Sequence, residues 1–299
     1  MAHDQTLMGW MTGIQQQLES TLEDLLPAET TAPQALHQAM RYAVLQGGKR
    51  VRPLLVCAAG ELVGAPMAHL LRIGAAVEMI HAYSLVHDDM PCMDNDVLRR
   101  GKPTCHVAYG EANALLVGDA LQTQAFDLLS QPLDGVASAT QLAMVAQLAR
   151  ASGHAGMAGG QAIDLASVGL ALSLPELEYM HMLKTGALIR VAVQLGAMAG
   201  KPLSQNDMAR LDRFAKCMGL AFQVVDDVLD CEADTATLGK TAGKDAEQDK
   251  PTYVSLMGFS QAKHFALELR EQAFAALDEL NVPAQRLKDL ADYIVDRSF

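Results

Sequence analysis

Aromatic residues make up only 5% of this 299-residue chain, and its 23 basic residues face 35 acidic ones. The first shortage argues against a core built from sheets, which draw on aromatic and β-branched residues; the alanine, leucine and methionine found instead favour helices. The second leaves a net charge of −12, which argues against binding nucleic acid or an anionic membrane through bulk electrostatics. Any anionic ligand must be held locally, by clustered basic side chains or by metal ions. Cysteine is scarce as well. Cys57, Cys92, Cys105, Cys217 and Cys231 form an odd set without a CxxC pair, which fits a reducing compartment and speaks against a disulfide framework or a zinc site. The chain also lacks a low-complexity spacer, an internal repeat and any useful run of strand-like alternation. Charged residues interrupt every long apolar run before it could span a bilayer, and the opening MAHDQTLMGWM lacks the basic-then-apolar order of a secretory signal. These absences predict a soluble, cytoplasmic, all-α protein, and the 50% hydrophobic composition can bury a large core.

What is present is organised around Leu220–Asp230, LAFQVVDDVLD. On a helix, Gln223, Asp226, Asp227 and Asp230 stand at i, i+3, i+4 and i+7 and form one polar stripe. The stripe Met208, Leu211, Ala215, Met218, Phe222, Val225, Leu229 forms the opposite, core-seeking face. Three carboxylates near a helix C-terminus repel one another and oppose the helix dipole. A solvated acidic face is one reading; the other is a hard divalent cation such as Mg²⁺, which takes oxygen ligands and bridges to substrate phosphates.

A second acidic group ends the apolar segment Met67–Asp89, which reads as a helix buried on nearly all sides. Asp94 and Asp96 follow beyond Pro91. On a straight helix Asp88 and Asp94 would point about 240° apart, but Pro91 breaks the helix and lets the chain fold back, bringing Asp94 toward Asp88. A surface turn capped by aspartate would read the same way.

The remaining segments read as helices over about 7–25, from Thr31 to about Leu45, from Pro53 to about Val63, over 111–129 and over 138–152. The Thr31 helix opens on a capping-box spacing with Gln34, and a later helix opens on the capping box Ser173–Glu176 with Pro175 between. That later helix passes through Lys184-Thr185-Gly186, where glycine weakens it, and fades near Gly200. The glycine-rich SGHAGMAGGQ is expected to pack closely on a neighbour, Cys231–Thr252 to form a polar lid, and two amphipathic helices to close the chain. Basic residues, though few, are grouped: Lys49-Arg50-Val51-Arg52, Arg99-Arg100, and Lys240, Lys244 and Lys250 in the lid. Arginine offers a forked grip on phosphate oxygens and lysine a point charge. Two acidic groups and separate basic groups suit two phosphorylated substrates, one held through metals and one directly.

Taken in order, GGKRVRP, EMIHAYSLVHDDMPCMDNDVLRRG, KTGALIR, GLAFQVVDDVLD and LGKTAGKDAEQDKPTYVSLMG resemble the trans-isoprenyl diphosphate synthases, most closely the bacterial farnesyl diphosphate synthase branch. The resemblance covers almost the whole chain and implies a single-domain helical bundle over residues 1–299 around a deep central cavity, working as a homodimer. It implies three Mg²⁺ ions on an allylic diphosphate, with Asp88, Asp94 and Asp226 as metal ligands and Asp89, Asp227 and Asp230 near the metals or linked through water. Arg99, Lys184, Thr185, Gln223, Lys240 and Lys250 would hold the allylic diphosphate, and Lys49, Arg52, His81 and Arg100 the isopentenyl diphosphate. The implied reaction joins dimethylallyl or geranyl diphosphate to isopentenyl diphosphate. The first acidic group carries two residues more than the simpler DDxxD spacing, as is usual in the bacterial branch, and Val97 stands where relatives often have Asp.

Product length can be reasoned from helix geometry. Ser84 lies one turn behind Asp88, about 6 Å deeper, with Tyr83 beside it, so bulk at these positions limits how many isoprene units fit. A tyrosine there goes, in the family, with fifteen carbons; geranylgeranyl diphosphate synthase is the alternative, and a non-catalytic helical partner subunit is the reading from another class. For Tyr83 ordinary core packing is the alternative role, and for His81 a satisfied core histidine.

Overall fold

A computed structural model describes residues 6–45, 47–232 and 251–297. It divides into two compact units, 1–145 with 195–202, and 146–194 with 203–299. Apart from a two-stranded hairpin, the described residues form helices joined by short connections.

The first unit begins with α1 (Leu7–Leu25), whose Trp10, Met11, Ile14, Leu18 and Leu22 form its buried stripe. The Thr31 capping box expected at the next helix is not formed. The Thr31 hydroxyl donates back to the Ala28 carbonyl (2.6 Å), so α2 (Gln34–Val44) starts after Pro33 without a side-chain cap. Helix α3 (Val51–Leu62) starts earlier than expected, because Pro53 falls in its first turn, where a missing N–H costs nothing. Helix α4 (Met67–Asp88) is buried along most of its length and packs on α3 and on α6 (Glu111–Ser130). The loop expected between α4 and α6 contains strands β1 (Leu98–Arg99) and β2 (Lys102–Pro103) and the short α5 (Cys105–Tyr109). Residues 195–202 join this unit closely: a Cβ on Gly196 would lie 2.2 Å from the Val56 carbonyl oxygen, and the Lys201 amide donates to Val63 (2.9 Å).

The second unit holds the end of α7 (Ser138–Ser152), then α8 (Met157–Ala166) and α9 (Leu174–His181), which opens on the Ser173–Glu176 capping box as expected. Where glycine was expected to weaken the helix, the chain makes a π-helical turn, Met182–Gly186, before α10 (Ala187–Met198). The central element is α11 (Gln205–Glu232), which absorbs Cys231 and Glu232 from the expected lid. It packs along α13 (Phe259–Asp278), and also on α12 (Tyr253–Met257) and α14 (Gln285–Val295). Three helices thus follow the lid region where two were expected. No helix among the described residues is long and apolar enough to cross a membrane.

One buried cation ties the first unit together. Arg50 caps α3 in a left-handed conformation (φ 51°); its Nη1 reaches Glu78 on α4 (2.7 Å), its Nε reaches Glu19 on α1 (2.8 Å), and its Nη2 reaches the Val44 carbonyl ending α2 (2.7 Å). Burial works against this charge, but the two glutamates more than offset it. Removing one partner of such a pair leaves a buried charge uncompensated. Glu78→Ala is therefore expected to cost about 3–5 kcal/mol of stability in urea unfolding; a loss under about 1 kcal/mol would show that the knot is not what holds these helices.

Candidate active site

The first unit gathers half of the residues expected at a diphosphate site. Helix α4 ends at Asp88, and the chain then folds back as Pro91 requires. The amides of Asp94 and Asp96 donate to the Asp88 (2.8 Å) and Asp89 (3.1 Å) carbonyls, and that of Asn95 to Met90 (3.1 Å). The loop thereby satisfies carbonyls that a helix end leaves without partners, and it carries Asp94 to Asp88. Both side chains remain partly accessible. Asp89 differs. It is buried (2% exposed) and gripped in a fork by Arg99, Nε to Oδ2 at 2.8 Å and Nη2 to Oδ1 at 2.5 Å. Two expected roles, a carboxylate near the metals and an arginine on the diphosphate, are thus paired with each other here.

Arg100 and Gly101 form the two-residue loop between β1 and β2, with φ of 53° and 73°, the paired positive values of a type I′ hairpin. An arginine takes this conformation at some steric cost, and the turn directs its guanidinium onto Gly47-Gly48. Arg100 donates to the Gly47 carbonyl, and a Cβ on Gly48 would lie 2.7–2.9 Å from the guanidinium atoms. The φ of 126° at Gly48 is what calls for glycine there, and the missing Cβ leaves room for the guanidinium. The two basic motifs, some 50 residues apart in sequence, therefore meet. His81 senses the result: burial, then the charges of Arg52, Arg100, Arg99 and Arg50, hold its imidazole well below its ordinary value. Lys49 and Arg52, on either side of buried Arg50, stay partly accessible. A cluster of guanidiniums in so acidic a protein suits phosphate oxygens.

Tyr83 is buried, edge-on to His87 (ring centroids 5.8 Å), and the Ser84 hydroxyl donates back to the His81 carbonyl (2.9 Å).

The second unit holds the other expected group on α11 and the π turn. Asp226 is half exposed and paired with Arg297 (2.7 Å), which also donates to the Phe222 carbonyl (2.7 Å) and lies 3.9 Å over the Phe222 ring. Asp227, the next residue, turns inward and is buried. Its Oδ2 accepts the Tyr253 amide (2.8 Å) and its Oδ1 the Gln223 Nε2 (2.9 Å), while Gln223 Oε1 accepts the Thr185 hydroxyl (3.1 Å). Asp230 is partly exposed. Lys184 pairs with Asp164 on α8 (2.5 Å). The close packing expected of the glycine-rich segment is real: a Cβ on Gly160 would sit 2.2 Å from the Lys184 amide nitrogen. Lys240 and Lys250, with most of the expected lid, lie outside the described residues.

Sequence reasoning missed Asp164 and Arg297. An acid set among Ala162, Ile163, Leu165 and Ala166 was a signal for the first; the short tail DRSF carried none for the second. Among the described residues no three metal-binding side chains gather around one point. Hard oxygen donors in ones and twos fit Mg²⁺, which keeps several waters and shares substrate phosphate oxygens, better than an ion needing a complete protein cage.

The polyprenyl synthetase family model matches residues 33–282 of the chain. The farnesyl diphosphate synthase of Escherichia coli (strain K12) is 49% identical over 265 residues, covering 87% of this chain and 89% of that protein. A chloroplastic geranylgeranyl pyrophosphate synthase of Capsicum annuum is 48% identical over 267 residues, covering 89% of this chain and 72% of that protein. The solved structure of a geranyltransferase from Helicobacter pylori, complexed with magnesium and isoprenyl diphosphate, matches with a TM-score of 0.85 at 31% identity, covering 99% of this chain and 98% of that one.

Beside the α11 network, His181 ends α9 buried edge-on to Tyr253 (5.3 Å between rings). Burial, then the charge of Lys184, pushes its imidazole down to about 3, with Asp164 opposing. The unfolded chain thus takes up a proton near pH 6.5 that the folded chain refuses. The resulting stability is complete above that pH and is lost as pH falls toward about 3, by up to about 1.4 kcal/mol per unit. Urea unfolding between about pH 4 and 7 should show His181→Gln with a shallower decline than the parent; parallel slopes would assign the proton to another group.

Proposed function

The chain belongs to the polyprenyl synthetase family, and from that premise we propose that it condenses dimethylallyl or geranyl diphosphate with isopentenyl diphosphate, head to tail, to give farnesyl diphosphate. The observation that carries the diphosphate chemistry is the concentration of Arg52, Arg99, Arg100 and His81 beside the Asp88–Asp94 fold-back in a protein of net charge −12. We assign isopentenyl diphosphate to Lys49, Arg52, His81 and Arg100. The allylic diphosphate goes to Arg99, Lys184, Lys240 and Lys250, with Asp88, Asp94 and Asp226 as the Mg²⁺ ligands; Thr185 and Gln223, also expected on that diphosphate, are bonded to each other instead.

Mg²⁺, when bound with the diphosphate, supplies Lewis-acid stabilisation of the charge that builds on the leaving group. The chain's own cations act on the same charge, and they act better in a dry site. Arg99 and Lys184 are held ready by Asp89 and Asp164, so each reaches a phosphate by sharing its charge between that carboxylate and the phosphate oxygens. The hydrocarbon end becomes a carbocation, which calls for oxygen lone pairs; the π turn at Lys184-Thr185-Gly186 offers carbonyl and hydroxyl oxygens of that kind. Neutral His81 contributes a hydrogen bond without adding charge. We further take residues 1–299 to act as one catalytic domain, in a cytoplasmic homodimer.

Geranylgeranyl diphosphate synthesis is a second reading, favoured by the near-equal identity to the Capsicum annuum protein. Buried Tyr83, one turn behind the metal-binding end of α4, favours the shorter product. Purified protein given dimethylallyl and isopentenyl diphosphates with Mg²⁺ should yield a fifteen-carbon product on chromatography; a twenty-carbon product would favour the second reading, and no condensation would defeat both. Tyr83→Ala should lengthen the product. Asp226→Ala should lower turnover about a thousandfold, checked against an unfolding curve because it also strips Arg297 of its partner; near-normal rates would remove Asp226 from the metal site.

A further inference from the structure

Two adjacent aspartates of α11 behave differently. Asp226 is half exposed beside Arg297, whereas Asp227 is 4% exposed, with its two oxygens turned to the Tyr253 amide and the Gln223 side chain. An amide N–H can only donate, and a carboxylate can only accept. Oδ2 is thereby committed to Tyr253, and Oδ1 can receive only the NH₂ end of Gln223. That fixes the orientation of an amide whose two ends are otherwise interchangeable. Gln223 must then present Oε1 to Thr185, whose hydroxyl donates to it at 3.1 Å. With its hydrogen spent inward, the Thr185 oxygen keeps its lone pairs for another partner.

The segment that carries Thr185 is held as tightly. Gly186 of the π turn meets Gly219 of α11 so closely that a Cβ on Gly219 would lie 2.8 Å from the Gly186 Cα. Gly160 of α8 presses on the Lys184 backbone as well. Tyr253, the donor that orients Asp227, is itself fully buried between His181 and Phe265. The relay therefore runs from a rigid backbone donor to a hydroxyl on a rigid turn, with one carboxylate setting its direction.

We propose that Asp227 is a positioning residue that sets the polarity of the relay Tyr253 N–H → Asp227 → Gln223 → Thr185, so that the Thr185 oxygen offers lone pairs to positive charge. This rests on the proposed prenyl transfer, in which a carbocation forms, and it replaces the expected water-mediated metal role of Asp227. With the carboxylate gone, Gln223 is free to turn its NH₂ toward Thr185. The hydroxyl would then accept, and its hydrogen would point outward, presenting the wrong end of the dipole to a cation.

The test compares Asp227→Asn, Thr185→Val, Thr185→Ser and the double variant Asp227→Asn with Gln223→Glu in the full-length protein. Steady-state assays use dimethylallyl and isopentenyl diphosphates, and calorimetry uses Mg²⁺ with inorganic pyrophosphate. Asp227→Asn is expected to lower kcat about 100-fold while KM for the allylic diphosphate and the Mg²⁺–pyrophosphate affinity stay within about threefold. The double variant should recover most of kcat. In it, a carboxylate at position 223 accepts from both the Thr185 hydroxyl and the side-chain amide introduced at position 227, which restores the original polarity. Thr185→Val should match the kcat loss, Thr185→Ser should stay near the parent, and Asp227→Asn added to Thr185→Val should cost nothing more. A fall in Mg²⁺–pyrophosphate affinity parallel to the fall in kcat would overturn the proposal in favour of a metal role. So would a double variant no better than Asp227→Asn. If Asp227→Asn does not fold, Thr185→Val decides alone: a parental kcat overturns the relay. An inactive parent would instead defeat the proposed reaction.

Discussion

The guanidinium of Arg50, which caps α3, meets three other helices of the first unit at one buried point, and the placement of the basic residues follows from it. Its bonds to Glu19, Val44 and Glu78 pull the residue between Lys49 and Val51 inward, which leaves Lys49 and Arg52 on the accessible side. A run of basic residues that looks uniform in sequence is thus divided by one ion-pair network into a buried member and two more accessible ones. The cost of burying such a charge is met only because two carboxylates and a carbonyl converge on it. The same convergence gives Gly47-Gly48 a fixed place onto which Arg100 can close.

The charges expected at the site follow a common arrangement within each unit. Arg99 faces Asp89, Lys184 faces Asp164, and Arg297 faces Asp226. In each pair one member is nearly buried, and that member could not sit there alone without shifting its ionisation or losing stability. A protein that gathers many ionic groups for phosphate and metal chemistry keeps them compatible with a folded interior by pairing them. At Asp88 and Asp94 the fold-back loop answers the α4 carbonyls with backbone amides, and both residues stay partly accessible.

In the second unit, local weakness and tight packing occur together. The π turn at Met182–Gly186 departs from α-helical bonding, yet glycines on α8 and α11 bring neighbouring backbones hard against it. A departure of this kind survives when the surroundings leave the chain no alternative. Oxygen atoms set on such a turn are held more firmly than those of a surface loop.

Most helices were legible in the sequence because apolar spacing and capping residues act over a single turn. The bounds of α1, α7 and the Ser173–Glu176 start needed nothing further, and the all-α class followed from composition. Chain reversal at Pro91 was legible too, since proline forbids the straight continuation. Thr31 was misread because its hydroxyl can either accept from a helix start or donate back to a nearby carbonyl, and spacing does not rank the two. The placement of the acidic stripe on one helix was also written in the sequence, but not the different surroundings of its members. Asp226 and Asp227 are identical neighbours, and only the packing of Tyr253 and Arg297 against α11 turns one outward to a charge and the other inward to an amide. Partners 26 and 71 residues away are chosen by how helices pack, a matter of shape and burial that no local pattern encodes.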